Sequence, residues 1–253
     1  MTEHVLVRLG VTGTDTGIGK TVVTAALAAR ARELGLRVAA MKPIESGVEP
    51  HESTSGEYHS DVERLHAATG GTDSIAQMRL YSLVEPLAPM MAARRAGVTI
   101  DQAILDAAHE ALSADRDLLL VEGAGGLLVP ITVETTFLDL FGRWACELIV
   151  VAGNRLGVLN HVLLTVRAAE SAGVPVRAIV LTSYSSGEPT IAQATNYDAL
   201  RLLLPGYALY RFPWVDRTDD FGALAAAAEG SGLDGLLRAE PPAPTPPGTL
   251  FLD

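Results

Sequence analysis

A short apolar run, Val5-Leu-Val-Arg-Leu-Gly-Val11, leads into Gly13-Thr-Asp-Thr-Gly-Ile-Gly-Lys20-Thr21. An Ala-rich stretch with helical spacing follows over 20–34 and stops at Gly35, a residue suited to a helix C-cap. Strand, glycine-rich turn, Lys-Thr and helix, in that order, form the context of a phosphate-binding loop. Glycines let backbone amides turn inward around phosphate oxygens, and the helix N-terminus adds positive potential. The nucleotide contacts expected are therefore Gly13, Thr14, Asp15, Thr16, Gly17, Ile18, Gly19, Lys20 and Thr21. Lys20 would reach the β- and γ-phosphates, and the Thr21 hydroxyl would ligate Mg²⁺. Five residues separate Gly13 from Gly19, one more than in the common G-x4-G-K-[ST] form.

The rest of the chain alternates in the same manner. Strands are expected over 37–41, 118–122, 148–152, 177–182 and 207–211, with helices near 101–112, 135–145, 159–172, 189–204 and 221–238. Ser60-Asp61-Val62-Glu63 reads as a capping box opening a further helix that ends near Gly70-Gly71. Apolar strands alternating with helices predict a parallel sheet covered on both faces, an α/β fold. Residues 1–238 are expected to form one domain, followed by a tail over 239–253 with five prolines that trails over the surface.

Composition removes several function classes. A net charge of −11 with no basic cluster argues against nucleic acid or anionic membrane as a partner. No apolar run approaches the roughly 20 residues of a membrane helix. Met1-Thr-Glu-His opens without a basic segment before an apolar stretch, so a cytoplasmic location is expected. One cysteine, Cys146, fits a reducing compartment and reads as a small buried hydrophobe. Of the 19 Lys and Arg, only Lys20 and Lys42 are lysines. A lysine kept among so many arginines points to a need for a compact charge on a flexible stem.

Lys42 begins Lys42-Pro-Ile-Glu-Ser46-Gly47 at the carboxyl end of the second strand, where open α/β sheets bind ligands. From there it can reach the pocket of the phosphate loop. Val121-Glu122-Gly-Ala-Gly-Gly126 runs a strand straight into a carboxylate and then glycines. An acid in that position suits Mg²⁺, held directly or through water. Glu122 and Asp61 are thus the carboxylates expected to help Thr21 with a metal, although an acid in the first turn of a capped helix is favourable by itself. Asn154-Arg-Leu-Gly157-Val-Leu-Asn160-His161 follows another strand end, and Asn160 or His161 could cap the helix that begins there.

These four motifs, in this order and with Pro213-Trp214 near the end, resemble the dethiobiotin synthetases of biotin synthesis over roughly residues 5–215. The resemblance implies a P-loop NTPase-like three-layer α/β/α sandwich with a mainly parallel, about seven-stranded sheet. It also implies a homodimer with the site at the subunit interface. The implied reaction joins 7,8-diaminopelargonate, CO₂ and ATP, with Mg²⁺, through a carbamate and a carbamic–phosphoric anhydride. Lys20 and Lys42 would then be catalytic cations. Thr16 and Ser46 would orient the carbamate, and Thr182 and Pro213 would join the nucleotide contacts. Gly157, Asn160 and Tyr197 would serve the substrate from the neighbouring subunit. Thr182 stands where some members carry Asn reading the adenine, so base selectivity is left open. Cobyrinate amide synthases share the ATP domain but need a further glutaminase domain with a catalytic Cys. Partition and septum-positioning ATPases typically carry a lysine early in the loop, and 10–18 contains none.

Overall fold

The apolar N-terminal run becomes β1 (Val7–Gly13), buried along nearly its whole length. The computed structural model describes residues 5–48 and 60–239. After β1 come α1 (Lys20–Glu33), β2 (Val38–Met41), β3 (Ile44–Ser46), α2 (Asp61–Ala68), α3 (Ile75–Met78), β4 (Tyr81–Leu83) and α4 (Pro89–Ala96). The chain continues through α5 (Gln102–Ser113), β5 (Leu118–Gly126), α6 (Phe137–Arg143), β6 (Glu147–Gly153), α7 (Val158–Ser171) and β7 (Val176–Thr182). It ends in α8 (Ile191–Leu203), β8 (Leu209–Phe212), α9 (Phe221–Gly230) and a 3-10 turn over Leu233–Leu237.

Among the described residues, six strands form the central sheet in the order β2-β5-β1-β6-β7-β8, and every pairing is parallel. β3 and β4 pair in a separate two-stranded parallel sheet. Alternate residues of one strand feed opposite layers, as the pleat requires. In β5, Leu118 and Leu120 pack with Val62, Leu65 and Leu224 of α2 and α9. Leu119 and Val121 pack on the other face with Leu105, Phe137 and Phe141 of α5 and α6. α7 and α8 cover β6 and β7 on that second side through Val162, Val166 and Leu200. The result is the three-layer sandwich that the resemblance implies, with six described strands in the central sheet where about seven were expected.

α1 is buried at ten of its fourteen positions, because α2 and α9 flank it over the sheet. Its alanines keep the packing distance short, and Arg30 ties it to the C-terminal region through Asp234 at 2.8 Å and Glu229 at 2.6 Å. Ser60 caps α2 by accepting the Glu63 amide. Three details depart from the sequence reading. The helix expected over 221–238 stops at Gly230, since Gly232 adopts φ +77°, and continues only as the 3-10 turn. α3, α4, β3 and β4 are elements of three to eight residues, too short to show a period. β5 extends through the glycines to Gly126 rather than ending at Glu122. The proline-rich tail over 239–253 lies, but for Ala239, outside the described residues.

Candidate active site at the carboxyl edge of the sheet

All six central strands point their carboxyl ends at one edge, and β1 supplies the loop there. The Thr14 amide donates to the Val151 carbonyl of β6 at 3.0 Å, fixing where the loop leaves the sheet. A Cβ on Gly13 would lie 2.8 Å from the Asp15 carbonyl oxygen and 2.9 Å from that of Gly125, so no larger residue fits. Gly19, at φ +92°, is the N-cap of α1. Thr16 lies beside the glycines that end β5: a Cβ on Gly125 would be 3.4 Å from its Oγ1. The Thr16 amide bonds to Asp15 Oδ1 at 2.8 Å, and that bond, with Arg155 close by, holds the Asp15 carboxyl below its usual range against burial.

Register brings the charged residues together. Met41 lies opposite Val121, which sets Lys42 beside Glu122. Val11 also lies opposite Glu122, so the carboxylate faces the start of the loop. Lys42 Nζ donates to Glu122 Oε1 at 2.8 Å and also to Asp61 Oδ2. Thr21 Oγ1 donates to the same Glu122 Oε1 at 2.8 Å. Lys20 Nζ donates to the Asp15 carbonyl at 3.0 Å. Glu122 is 0% exposed and Lys42 5%. Burial alone would depress the Lys42 pKa, but the Glu122 and Asp61 carboxylates outweigh it and raise the value. Both carboxylates thus favour the charged form of Lys42. Lys20 moves the other way, lowered chiefly by burial. Burial likewise opposes ionisation of Asp61, yet Lys42 brings its pKa below the usual range.

The second oxygen of Glu122, Oε2, is buried without a hydrogen-bond partner. A buried carboxylate oxygen left so is costly unless a cation or donor meets it. Thr21, Asp61 and Glu122 thus offer hard oxygen ligands around one point, which suits Mg²⁺. Among the described residues no group of three His, Cys, Asp or Glu could hold a metal alone. Mg²⁺ needs no such cage where substrate phosphates complete its shell.

A cavity of about 210 Å³ opens beside the loop, between Ile18, Val22, Thr182, Tyr184, Pro213 and Trp214. Gly17, Ile18 and Gly19 form its edge, so it adjoins the end of the glycine-rich loop. Thr182 Oγ1 donates to the Ile18 carbonyl at 2.7 Å, so its hydroxyl proton holds the loop. Tyr184 folds across the end of β6: a Cβ on Gly153 would be 1.8 Å from its Oη.

The motif after β6 also reaches the site. Arg155 Nη2 meets Asp15 Oδ2 at 2.5 Å, and buried Asn196 donates to Asn154 Oδ1 at 2.8 Å and to the Arg155 carbonyl at 3.1 Å. Gly157, at φ +94°, is the N-cap of α7, and Asn160 is exposed one turn on. Neither Asn160 nor His161 occupies the cap. Ser46 ends β3, half-buried, four residues after Lys42. Tyr197 does not join the cluster: its hydroxyl donates to the Leu209 carbonyl at 3.1 Å, at the opposite end of β8, and Arg211 stacks on its ring at 4.0 Å. Glu45, Arg79, Arg155, Tyr184 and Asn196 were not singled out from the sequence. Arg155 and Glu45 lie inside motifs that were, which was the available signal.

Residues 8–219 match the family described as an AAA domain. An ATP-dependent dethiobiotin synthetase from Anaeromyxobacter sp. (strain Fw109-5) is 46% identical over 173 residues, 68% of this chain and 75% of that protein. One from Rhodococcus jostii (strain RHA1) is 44% identical over 194 residues, 76% and 80% of the two chains. One from Salmonella typhi is 35% identical over 228 residues, 90% and 96%. Among solved structures, the septum site-determining protein MinD of Pyrococcus horikoshii OT3, complexed with Mg-ADP, superposes with a TM-score of 0.51 at 17% identity. That match covers 92% of this chain and 99% of MinD, and it concerns the fold alone.

Proposed function

The chain belongs to the ATP-dependent dethiobiotin synthetases, and on that premise we propose that it closes the cyclic urea of dethiobiotin from 7,8-diaminopelargonate, CO₂ and ATP. One substrate amine takes up CO₂ as a carbamate and releases a proton. A carbamate oxygen attacks the γ-phosphorus and displaces ADP, giving a carbamic–phosphoric anhydride. The second amine attacks the carbonyl carbon and expels phosphate, closing the ring. The observation that carries this reading is Lys42, a buried lysine held between Glu122 and Asp61 beside the phosphate loop. Carbamate and triphosphate are both anions, and their approach needs fixed positive charge where charge develops.

Lys20 and the loop amides over 13–19 hold the phosphates. Lys42 neutralises the carbamate as it meets the γ-phosphoryl group, and Thr16 and Ser46 orient it by hydrogen bonds. Mg²⁺, where bound, supplies charge compensation for the β- and γ-phosphates. Thr21, Asp61 and Glu122 would hold it. Thr182 supports the nucleotide by fastening Ile18, and Pro213 walls the base cavity.

A homodimer is part of the same proposal. Asn160 and Leu164 of α7 face outward four residues apart, and Leu156, in the turn just before the helix, is 87% exposed and Leu164 61%. Such an apolar stripe around a polar residue suits burial against a second copy, with Gly157 and Asn160 reaching its substrate. We take 1–238 as one domain, since three apolar clusters share one central sheet, and 239–253 as a tail. No described helix is long and apolar enough to cross a membrane. The single buried thiol of Cys146 fits a reducing cytoplasm.

The test is product formation. The protein is incubated with ATP, Mg²⁺, bicarbonate and diaminopelargonate, each omitted in turn, and dethiobiotin is sought by mass spectrometry. Product that requires all four supports the proposal. Absence of product while ATP is still bound overturns it.

A further inference from the structure

Asp61 owes its place to a residue outside the phosphate loop. It is the first residue of α2, where backbone amides have no intrahelical acceptor. Ser60 takes up the Glu63 amide, and Glu45 of β3 accepts the Asp61 amide through Oε1 at 2.6 Å. The other oxygen, Glu45 Oε2, is paired with Arg79 Nη1 at 2.7 Å. Glu45 is 4% exposed, so it is a buried carboxylate with both oxygens engaged. Such groups hold geometry well, because neither oxygen gains by leaving.

The arrangement fixes Asp61 from two sides. Its side chain meets Lys42 and its backbone meets Glu45, and both partners spring from the same short segment, 42–45. The segment that supplies the cation therefore also sets the start of α2. Arg79, just before β4, cancels the Glu45 charge, so the clamp adds no net negative charge beside the phosphate site.

We infer that Glu45, neutralised by Arg79, is a positioning residue for the Asp61 carboxylate, and through it for divalent-cation binding with the nucleotide. This rests on the proposed role of Asp61 as a metal ligand. Groups that orient metal ligands typically change metal affinity 10- to 100-fold when removed.

The test uses the full chain and a non-hydrolysable ATP analogue. Analogue binding is measured by calorimetry across a Mg²⁺ series and in EDTA. Glu45→Ala is expected to raise the half-saturating Mg²⁺ concentration about 10- to 100-fold while leaving metal-free affinity unchanged. Glu45→Gln keeps an acceptor oxygen for Asp61 and loses less. Amide hydrogen exchange without nucleotide gives a second readout: the Asp61 amide loses protection in Glu45→Ala and keeps it in Glu45→Gln. Should Glu45→Ala fail to fold with Arg79 left uncompensated, Glu45→Ala/Arg79→Met removes both charges and is expected to show the same Mg²⁺ defect. Asp61→Asn separates the two readings. If it leaves Mg²⁺ dependence intact, the metal role of Asp61 fails. If it impairs Mg²⁺ dependence but Glu45→Ala does not, or if metal-free and Mg²⁺-supported affinities fall equally in Glu45→Ala, the positioning role is overturned.

Discussion

Replacing Lys42 by methionine removes the ammonium that bridges Glu122 and Asp61 and leaves a carboxylate with no exposed surface facing an apolar stem. Breaking a buried pair by deleting one partner costs about 3–5 kcal/mol, because the remaining charge stays desolvated. The Glu122 half dominates. The Asp61 side chain is 40% exposed, so water screens most of its share. For a chain of this size each kcal/mol moves the melting temperature by roughly 2–4 °C, which gives a drop of about 6–20 °C. Glu122→Gln removes the stranded charge and is expected to restore much of the loss. The assay is denaturant unfolding of both single variants and the double, read as a thermodynamic cycle. A coupling of about 2 kcal/mol or more is expected for groups in direct contact. If the two single effects add to within about 0.5 kcal/mol, the buried-pair reasoning is refuted. Ring closure in Lys42→Met is expected to fall at least 10²- to 10³-fold, the usual loss for one preorganised donor at developing charge.

Thr182→Val loses the bond to Ile18 and is expected to weaken ATP, GTP and CTP equally, about fivefold for a bond worth about 1 kcal/mol. A calorimetric loss confined to ATP would mean that the hydroxyl reads the base. Gly153→Ala pushes Tyr184 off the end of β6 and should lower nucleotide affinity. In a Tyr184→Ala background it should have no further effect, and a further loss there would point to the β6 backbone instead. His109 is stacked on Trp144 at 4.5 Å, and burial lowers its pKa to about 4. The unfolded chain titrates near 6.5, so it binds the proton first on acidification. The stability due to neutral His109 is present above pH 6.5 and lost as the pH falls toward 4. Urea unfolding at pH 7.5 and 4.5 should show this slope, and His109→Phe should flatten it.

Lys20, Thr21 and the glycines were legible because a phosphate loop is a local object: strand, turn and helix N-terminus are contiguous. Lys42 and Glu122 were legible because each directly follows an apolar run. Their meeting was not, since it depends on β2 entering the sheet beside β5, a pairing of strands some 80 residues apart. The pairing of Glu45 with Arg79 is hidden in the sequence for the same reason. Their partnership spans 34 residues and two three-residue strands, which no hydrophobic period can reveal. Asp61 illustrates a feature with two causes. Its place in the first turn is favourable for any acid, and it also faces Lys42. Thr182 was assigned to the nucleotide by analogy of position, while its hydroxyl is fastened to Ile18 across 164 residues. Gly230-Ser-Gly232 was in plain view as a helix terminator and was overrun by the alanine-rich pattern before it.

The strand order also has a consequence for how the chain comes into being. β1 and its loop leave the ribosome well before their sheet neighbours β5 and β6, whose residues start at 118 and 147. Until β6 emerges, Thr14 has no Val151 carbonyl to hold, and Lys42 precedes Glu122 by 80 residues of synthesis. Topologies dominated by such distant pairings close slowly and leave apolar edges unpaired in the meantime. A nascent chain that stops short of β6 is thus expected to carry the whole phosphate-loop sequence and bind no nucleotide. ATP can stabilise the finished protein by mass action, but it arrives too late to guide the first half of its folding.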